Sequence, residues 1–195
     1  MKRNNSRSAR EAGIKRKYGF HNSKSLGQNF LTDDSVIDDI AAASKIGPED
    51  LVVEIGPGMG VLTAAVADYA GRVVAIEVDK RLIPVLHETL ADYDNIEIVN
   101  ADIMKTDLNE IIEKYGIPGP EGKVRIVGNL PYYITTPILM MLLESRIPAE
   151  TITIMMQKEV AERIMADPGS RTYDHRRSGC SEGCVQASSG GMTDE

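Results

Sequence analysis

The chain has 195 residues, two cysteines, three histidines and no long apolar run. Cys180 and Cys184 are the only cysteines and lie near the C-terminus. The body of the chain is therefore built without disulfides, which suits a reducing cytosol and a cytoplasmic setting. No apolar stretch reaches the roughly 18 residues of a spanning helix, so no membrane partner is expected. The N-terminus is basic but lacks the apolar segment of a secretory signal. His21, His87 and His175 share no partner pattern and are expected at the surface. No Gly-Lys-Ser/Thr follows the glycine-rich stretch near residue 58, which excludes a P-loop.

The net charge of −7 hides an asymmetry. Residues 1–24 carry eight basic side chains against Glu11, whereas the remainder carries 14 basic and 28 acidic ones. A basic arm on an acidic body suits a nucleic-acid partner, or else a solvated extension. Residues 1–23 are expected to be a flexible arm.

Beyond the arm, apolar strands alternate with helical patterns. "TDDSVIDDIAAA" offers Thr32 or Asp33 as a cap, with Val36, Ile37, Ile40 and Ala41 on one helical face. "LVVEI", "RVVAIEV", "NIEIVN", "VRIVGN" and "TITIMMQ" read as five buried strands. Helices are expected over "VLTAAVADYA", "KRLIPVLHETLADY", "LNEIIEKYG", "TPILMMLLES" and "KEVAERIMA". Five alternations predict an α/β fold: an open parallel sheet with helices on both faces and a ligand edge at the strand C-termini.

"EIGPGMG" lies between the first strand and a helix, where Gly56, Gly58 and Gly60 permit positive backbone dihedrals and close approach of a ligand. The G-x-G-x-G spacing disfavours a nicotinamide site, and a tight turn without ligand is the plain alternative. Acids at the next strand ends sharpen the reading. Glu77 is placed to accept both hydroxyls of a ribose, with Asp79 as its competitor, and Asp102 to accept from an adenine amino group. A nucleoside without phosphates on an acidic edge fits S-adenosylmethionine, whose sulfonium is a cation.

The fourth strand ends in "GNLPYYITTP". An exocyclic base amine is a poor nucleophile because its lone pair is delocalised into the ring. Hydrogen bonds from that amine to the Asn129 side chain and the Leu130 carbonyl would make the nitrogen more tetrahedral and aim its lone pair. Pro131 stiffens this backbone and leaves the Leu130 carbonyl free, and Tyr132 offers a stacking face. A proline-ended strand with tyrosines capping the core is the plain alternative.

Together, "GQNFL", "EIGPGMGVLT", "IEVDKRL", "NADI" and "NLPYYITTPI" resemble the small-subunit ribosomal RNA adenine dimethyltransferases of the KsgA type. The resemblance covers residues 24–173. It implies a Rossmann-like class I methyltransferase fold that uses S-adenosylmethionine. The implied substrate is the N6 amines of two adjacent adenosines near the 3′ end of 16S ribosomal RNA, in the assembling small subunit. It also implies a monomer. Carried onto this sequence, Asn29 and Leu31 close over the cofactor, Gly56 meets its methionine end, Glu77 the ribose and Asp102 the adenine. Asn129, Leu130, Pro131 and Tyr132 form the catalytic segment, with Asn129 also beside the methyl donor.

The resemblance stops after "DPGSRTY". Residues 174–195 show no helical or strand period and are expected to be a disordered tail, the product of a frameshift, a premature end or a selected short form. Codons for Gly179-Cys180-Ser181 can spell Ala-Val-Gln one frame over, a run common in the family. The family's helical C-terminal domain and its final strand pair are therefore expected to be missing. The expected consequences are an unpaired sheet edge, impaired RNA capture and doubtful activity. A catalytically silent RNA- or ribosome-binding factor of the same fold is the competing expectation.

Overall fold

The computed structural model describes residues 34–157, 160–162 and 182–188. Five helices and six strands alternate through them. In chain order they are α1 (Asp34–Ala43), β1 (Leu51–Ile55), α2 (Val61–Ala67), β2 (Arg72–Glu77), α3 (Ile83–Thr89) and β3 (Ile96–Asn100). A 3-10 turn (Ile103–Lys105) follows, then α4 (Leu108–Tyr115), β4 (Val124–Asn129), α5 (Tyr132–Glu144), β5 (Ala149–Gln157) and β6 (Glu182–Ser188). The sheet order is β3-β2-β1-β4-β5-β6, and the first five strands are all parallel. The expected α/β fold is thus present, and its order reverses between β1 and β4.

Alternation along β1 builds a core on each face. Leu51, Val53 and Ile55 pack with Ile126, Ile138, Leu142 and Ile154 on the side of α4 and α5. Val52 packs with Ile37, Ile40, Leu62 and Val66 on the side of α1 and α2. β1 is buried along its whole length, as a central parallel strand must be. Each fully buried aliphatic side chain stabilises the fold by about 1.5–3 kcal/mol. β3 lies at the edge and is only partly buried.

Charge pins the N-terminal ends of the central strands. Asp50 accepts from Gly47 N–H at 2.9 Å, Lys123 N–H at 2.7 Å and Arg125 Nε at 3.0 Å. Burial alone would raise the Asp50 carboxyl, but the two backbone bonds and Arg125 outweigh it and hold it below its usual range. This clip fixes β1 against β4 at the end away from the glycine loop.

Two expectations change. "TPILMMLLES" begins its helix four residues earlier than expected, at Tyr132. Pro131 is the N-cap, the Thr135 hydroxyl donates to the Pro131 carbonyl at 3.0 Å, and Pro137 sits inside the helix. The early turn holds because Ile134 N–H also donates to the Pro131 carbonyl.

The second change concerns the tail. Glu182–Ser188 pairs antiparallel with β5, Gln157 opposite Glu182 and Thr151 opposite Ser188. The expectation of a wholly disordered tail and an unpaired β5 edge is wrong for these seven residues. A bare edge offers a row of N–H and C=O groups, and "EGCVQAS" contains no proline to prevent pairing. Of the expected helix "KEVAERIMA", Val160–Glu162 are helical, and the rest lies outside the described residues.

Candidate active site

The turn after β1 is built on glycine. Gly56, Gly58 and Gly60 have φ of +69°, +59° and +84°. Gly60 is also the N-cap of α2, and a Cβ there would lie 3.1 Å from Leu86 Cδ2. A side chain would meet both backbone strain and a buried leucine. Across the switch point Ile55 pairs with Gly128, where a Cβ would lie 3.2 Å from the Ile55 carbonyl. The glycine turn and the end of β4 therefore approach closely.

Glu77 ends β2 and is only 3 % exposed. Its Oε2 accepts from Gly58 N–H at 3.2 Å and its Oε1 from Asp79 N–H at 2.8 Å. Burial pushes the carboxyl up, with Asp79 adding to the push, while the backbone donors oppose it. The carboxylate is thus fixed in one orientation with its remaining lone pairs unspent. Asp79 is occupied by Arg81, which donates to both its oxygens at 2.6 to 3.1 Å. That bonding to Arg81 holds Asp79 below the usual carboxylate range. Of the two competing acids, Glu77 is the one without a cationic partner in its bonding.

Asp102 follows β3 and caps the 3-10 turn, its Oδ1 accepting from Met104 N–H at 3.1 Å. Its Oδ2 lies 3.2 Å from Lys105 Nζ at the surface. At the end of β4, the Leu130 carbonyl is not wholly free, because the Thr135 hydroxyl lies 3.5 Å from it. The shorter bond from that hydroxyl goes to the Pro131 carbonyl at 3.0 Å. The Leu130 carbonyl therefore keeps most of its accepting capacity.

These strand ends enclose one cavity of about 500 Å³. Gly56, Glu77, Asp102, Asn129, Leu130 and Pro131 all line it. Six predicted residues from four strand ends thus meet in one place. Asn29 and Leu31 lie outside the described residues, as does the side chain of Tyr132. Tyr133 lines the cavity and is 66 % exposed.

The sequence reading foresaw neither the bond of Gly58 to Glu77 nor the parts of Thr135 and Glu54. Gly58 orients Glu77 through its N–H, Thr135 steadies the turn after Asn129, and Glu54 lies in the cavity wall beneath the glycine turn. Only the position of Gly58 in the glycine run carried a signal. Glu54 stands inside the buried strand "LVVEI", where no motif singles it out, and it is 1 % exposed.

The chemistry of the donor set narrows the ligand. Arg81 is the only cation among the described residues lining the cavity, and it is tied to Asp79. Gly58 N–H is directed at Glu77 rather than at a phosphate. The cavity is acidic and apolar, and its size is that of a small-molecule pocket. A phosphate-rich nucleotide fits poorly, whereas a cationic nucleoside fits.

The sheet order, the glycine turn and the acid at the end of β2 define a Rossmann-like fold of the class I methyltransferase type. The family model for ribosomal RNA adenine dimethylases matches residues 19–179, and the chain belongs to that family. It is 53 % identical over 164 residues to the ribosomal RNA small subunit methyltransferase A of Ligilactobacillus salivarius. That alignment covers 84 % of this chain and 55 % of the relative. The protein of the same name from Lactiplantibacillus plantarum is 52 % identical over 165 residues, 85 % of this chain and 55 % of the relative. The chain spans about half the length of these curated relatives.

Among solved structures, a dimethyladenosine transferase from Plasmodium falciparum superposes with a TM-score of 0.61 at 31 % identity, covering 74 % of this chain and 49 % of that one. The 23S rRNA methyltransferase ErmE gives a TM-score of 0.58 at 38 % identity, covering 69 % and 50 %.

Proposed function

We infer that the chain carries the cofactor and catalytic half of an S-adenosylmethionine-dependent enzyme that dimethylates the N6 amines of two adjacent adenosines near the 3′ end of small-subunit ribosomal RNA. The observation that carries this reading is the convergence of Gly56, Glu77, Asp102 and Asn129 on one acidic cavity at the switch point of the sheet. Family membership and relatives named as small-subunit ribosomal RNA methyltransferases support the substrate class.

S-adenosylmethionine, when bound, supplies the methyl group as an electrophile. Glu77, already held by Gly58 and Asp79 N–H groups, accepts from the ribose hydroxyls without further ordering. Asp102 accepts from the adenine amino group and Gly56 admits the methionine end. The Asn129 side chain and the Leu130 carbonyl accept from the target amine and direct its lone pair. Pro131 and Thr135 keep that carbonyl in place. No strong general base is needed, because the methylated amine loses its proton readily. Tyr132 provides the stacking face, and Asn29 and Leu31 cover the cofactor.

The site works in the cytoplasm, on a monomer, during small-subunit assembly. The test is methyl transfer from S-adenosylmethionine to unmethylated small-subunit particles. Incorporation at adjacent adenosines, lost with Asn129→Ala, supports the reading. Binding of the particles without any methyl transfer supports instead a silent assembly factor of the same fold.

A further inference from the structure

Glu54 is unusual among the acids of the site. It lies on β1 opposite Ala75 of β2 and Val127 of β4, and it is 1 % exposed. Its Oε2 has no hydrogen-bond partner among the described residues, and neither has the nearby Thr63 hydroxyl of α2. A buried carboxyl with an oxygen left unpaired is a costly arrangement, and such groups concentrate at functional sites. Its own residue forms part of the wall of the cavity that holds Gly56 and Glu77.

The surrounding charges fix its sign. From β2 comes Glu77, of like charge, which disfavours ionisation of Glu54. α2 contributes only the neutral Thr63 hydroxyl, and the lining residues of β4 and α5 bear no charge. Asp79 and Arg81 neutralise each other, and Asp102 lies at the β3 end. Among the described residues lining the cavity, no cation is positioned to compensate Glu54. Burial, with Glu77 adding to it, pushes the carboxyl up to about 8.

We propose that Glu54 senses the charge of the ligand in the cavity, giving up a proton when the cationic methyl donor binds and favouring that donor over its neutral thioether product. The proposal rests on the S-adenosylmethionine reading above. A cation in the cavity supplies the opposite charge that Glu54 lacks, so donor binding and proton release are linked. The thioether product carries one positive charge fewer and draws the proton off less. Glu54 is a positioning residue in this scheme, acting through the field in the cavity.

The test is calorimetry of S-adenosylmethionine and S-adenosylhomocysteine on the wild-type chain and on Glu54→Gln, at pH 7 in two buffers of different ionisation enthalpy. The expected wild-type result is release of most of one proton with the donor and less with the product. Glu54→Gln, which mimics the protonated acid, is expected to lose this difference and lower the donor-to-product affinity ratio several-fold. Equal proton release and an unchanged ratio in the variant would overturn the proposal.

The wild-type chain carries the same test without substitution. Its donor-to-product ratio is expected to rise about tenfold between pH 6 and pH 9 and level off above the Glu54 transition. A ratio that stays flat contradicts the proposal. Failure of both ligands to bind a cooperatively melting chain would instead remove the cofactor reading and the role of Glu54 with it.

Discussion

Gly58 N–H donates to Glu77 Oε2 at 3.2 Å and so ties the glycine turn to the end of the next strand. The bond joins residues nineteen apart in sequence. Each oxygen of the Glu77 carboxylate thus accepts one backbone N–H, Oε2 from Gly58 and Oε1 from Asp79, and the carboxylate lines the cavity. The turn and the acid act as one unit, so a change in either disturbs the other.

Glu77→Ala removes the acceptor for the ribose and releases the turn. Cofactor affinity is expected to fall at least tenfold, since hydrogen bonds to charged groups contribute about 1.5–3 kcal/mol. The rate of methyl transfer at saturating cofactor is expected to change much less. Titration calorimetry and single-turnover kinetics separate the two effects, and an equal loss in both contradicts a binding role.

Asn129→Ala is expected to do the reverse. Loss of amine alignment lowers the single-turnover rate by about 10²-fold while cofactor affinity stays within a few-fold. Thr135→Val acts in the same direction but more weakly, because it loosens the Pro131 carbonyl without removing an acceptor for the amine. A Thr135→Val variant with a normal rate and lowered affinity would contradict this role.

Gly60→Ala places a Cβ at φ +84° and 3.1 Å from Leu86 Cδ2. The left-handed backbone alone costs about 1–2 kcal/mol, to which the contact adds. Urea unfolding is expected to report a loss of at least that size. An unchanged midpoint would mean that the turn rearranges.

Arg125→Met leaves Asp50 buried with its backbone donors but no cation. The expected destabilisation is about 3 kcal/mol at neutral pH. The sign against pH follows from the depressed Asp50 carboxyl. Its stabilising contribution is complete above the ordinary aspartate range and is lost as pH falls through the lower folded value. The difference between wild type and variant should therefore shrink below about pH 4 in thermal melts. Glu54 works oppositely: its raised carboxyl makes the fold lose stability as pH rises from about 4.5 to about 8. Glu54→Gln should flatten that limb.

Much of the site was legible because its residues punctuate the chain. Gly56, Glu77, Asp102 and Asn129 each follow an apolar run, and a parallel sheet brings such strand ends to one edge. The start of α5 was not legible, since Thr-Pro resembles a helix beginning, and only the bonds of Thr135 and Ile134 to the Pro131 carbonyl reveal the earlier turn. Glu54 was not singled out because a lone acid inside the buried run "LVVEI" carries no spacing signal, and only its burial in the cavity wall reveals it. β6 was hidden for another reason. "EGCVQAS" has little strand character of its own, and its pairing is supplied by the β5 edge.

The most direct measurement is titration of the 195-residue chain with S-adenosylmethionine, alongside Glu77→Ala. The account predicts one saturable site in the wild type and at least a tenfold loss in the variant. A chain that melts cooperatively yet binds no S-adenosylmethionine, or binds it equally well without the Glu77 carboxylate, would contradict it.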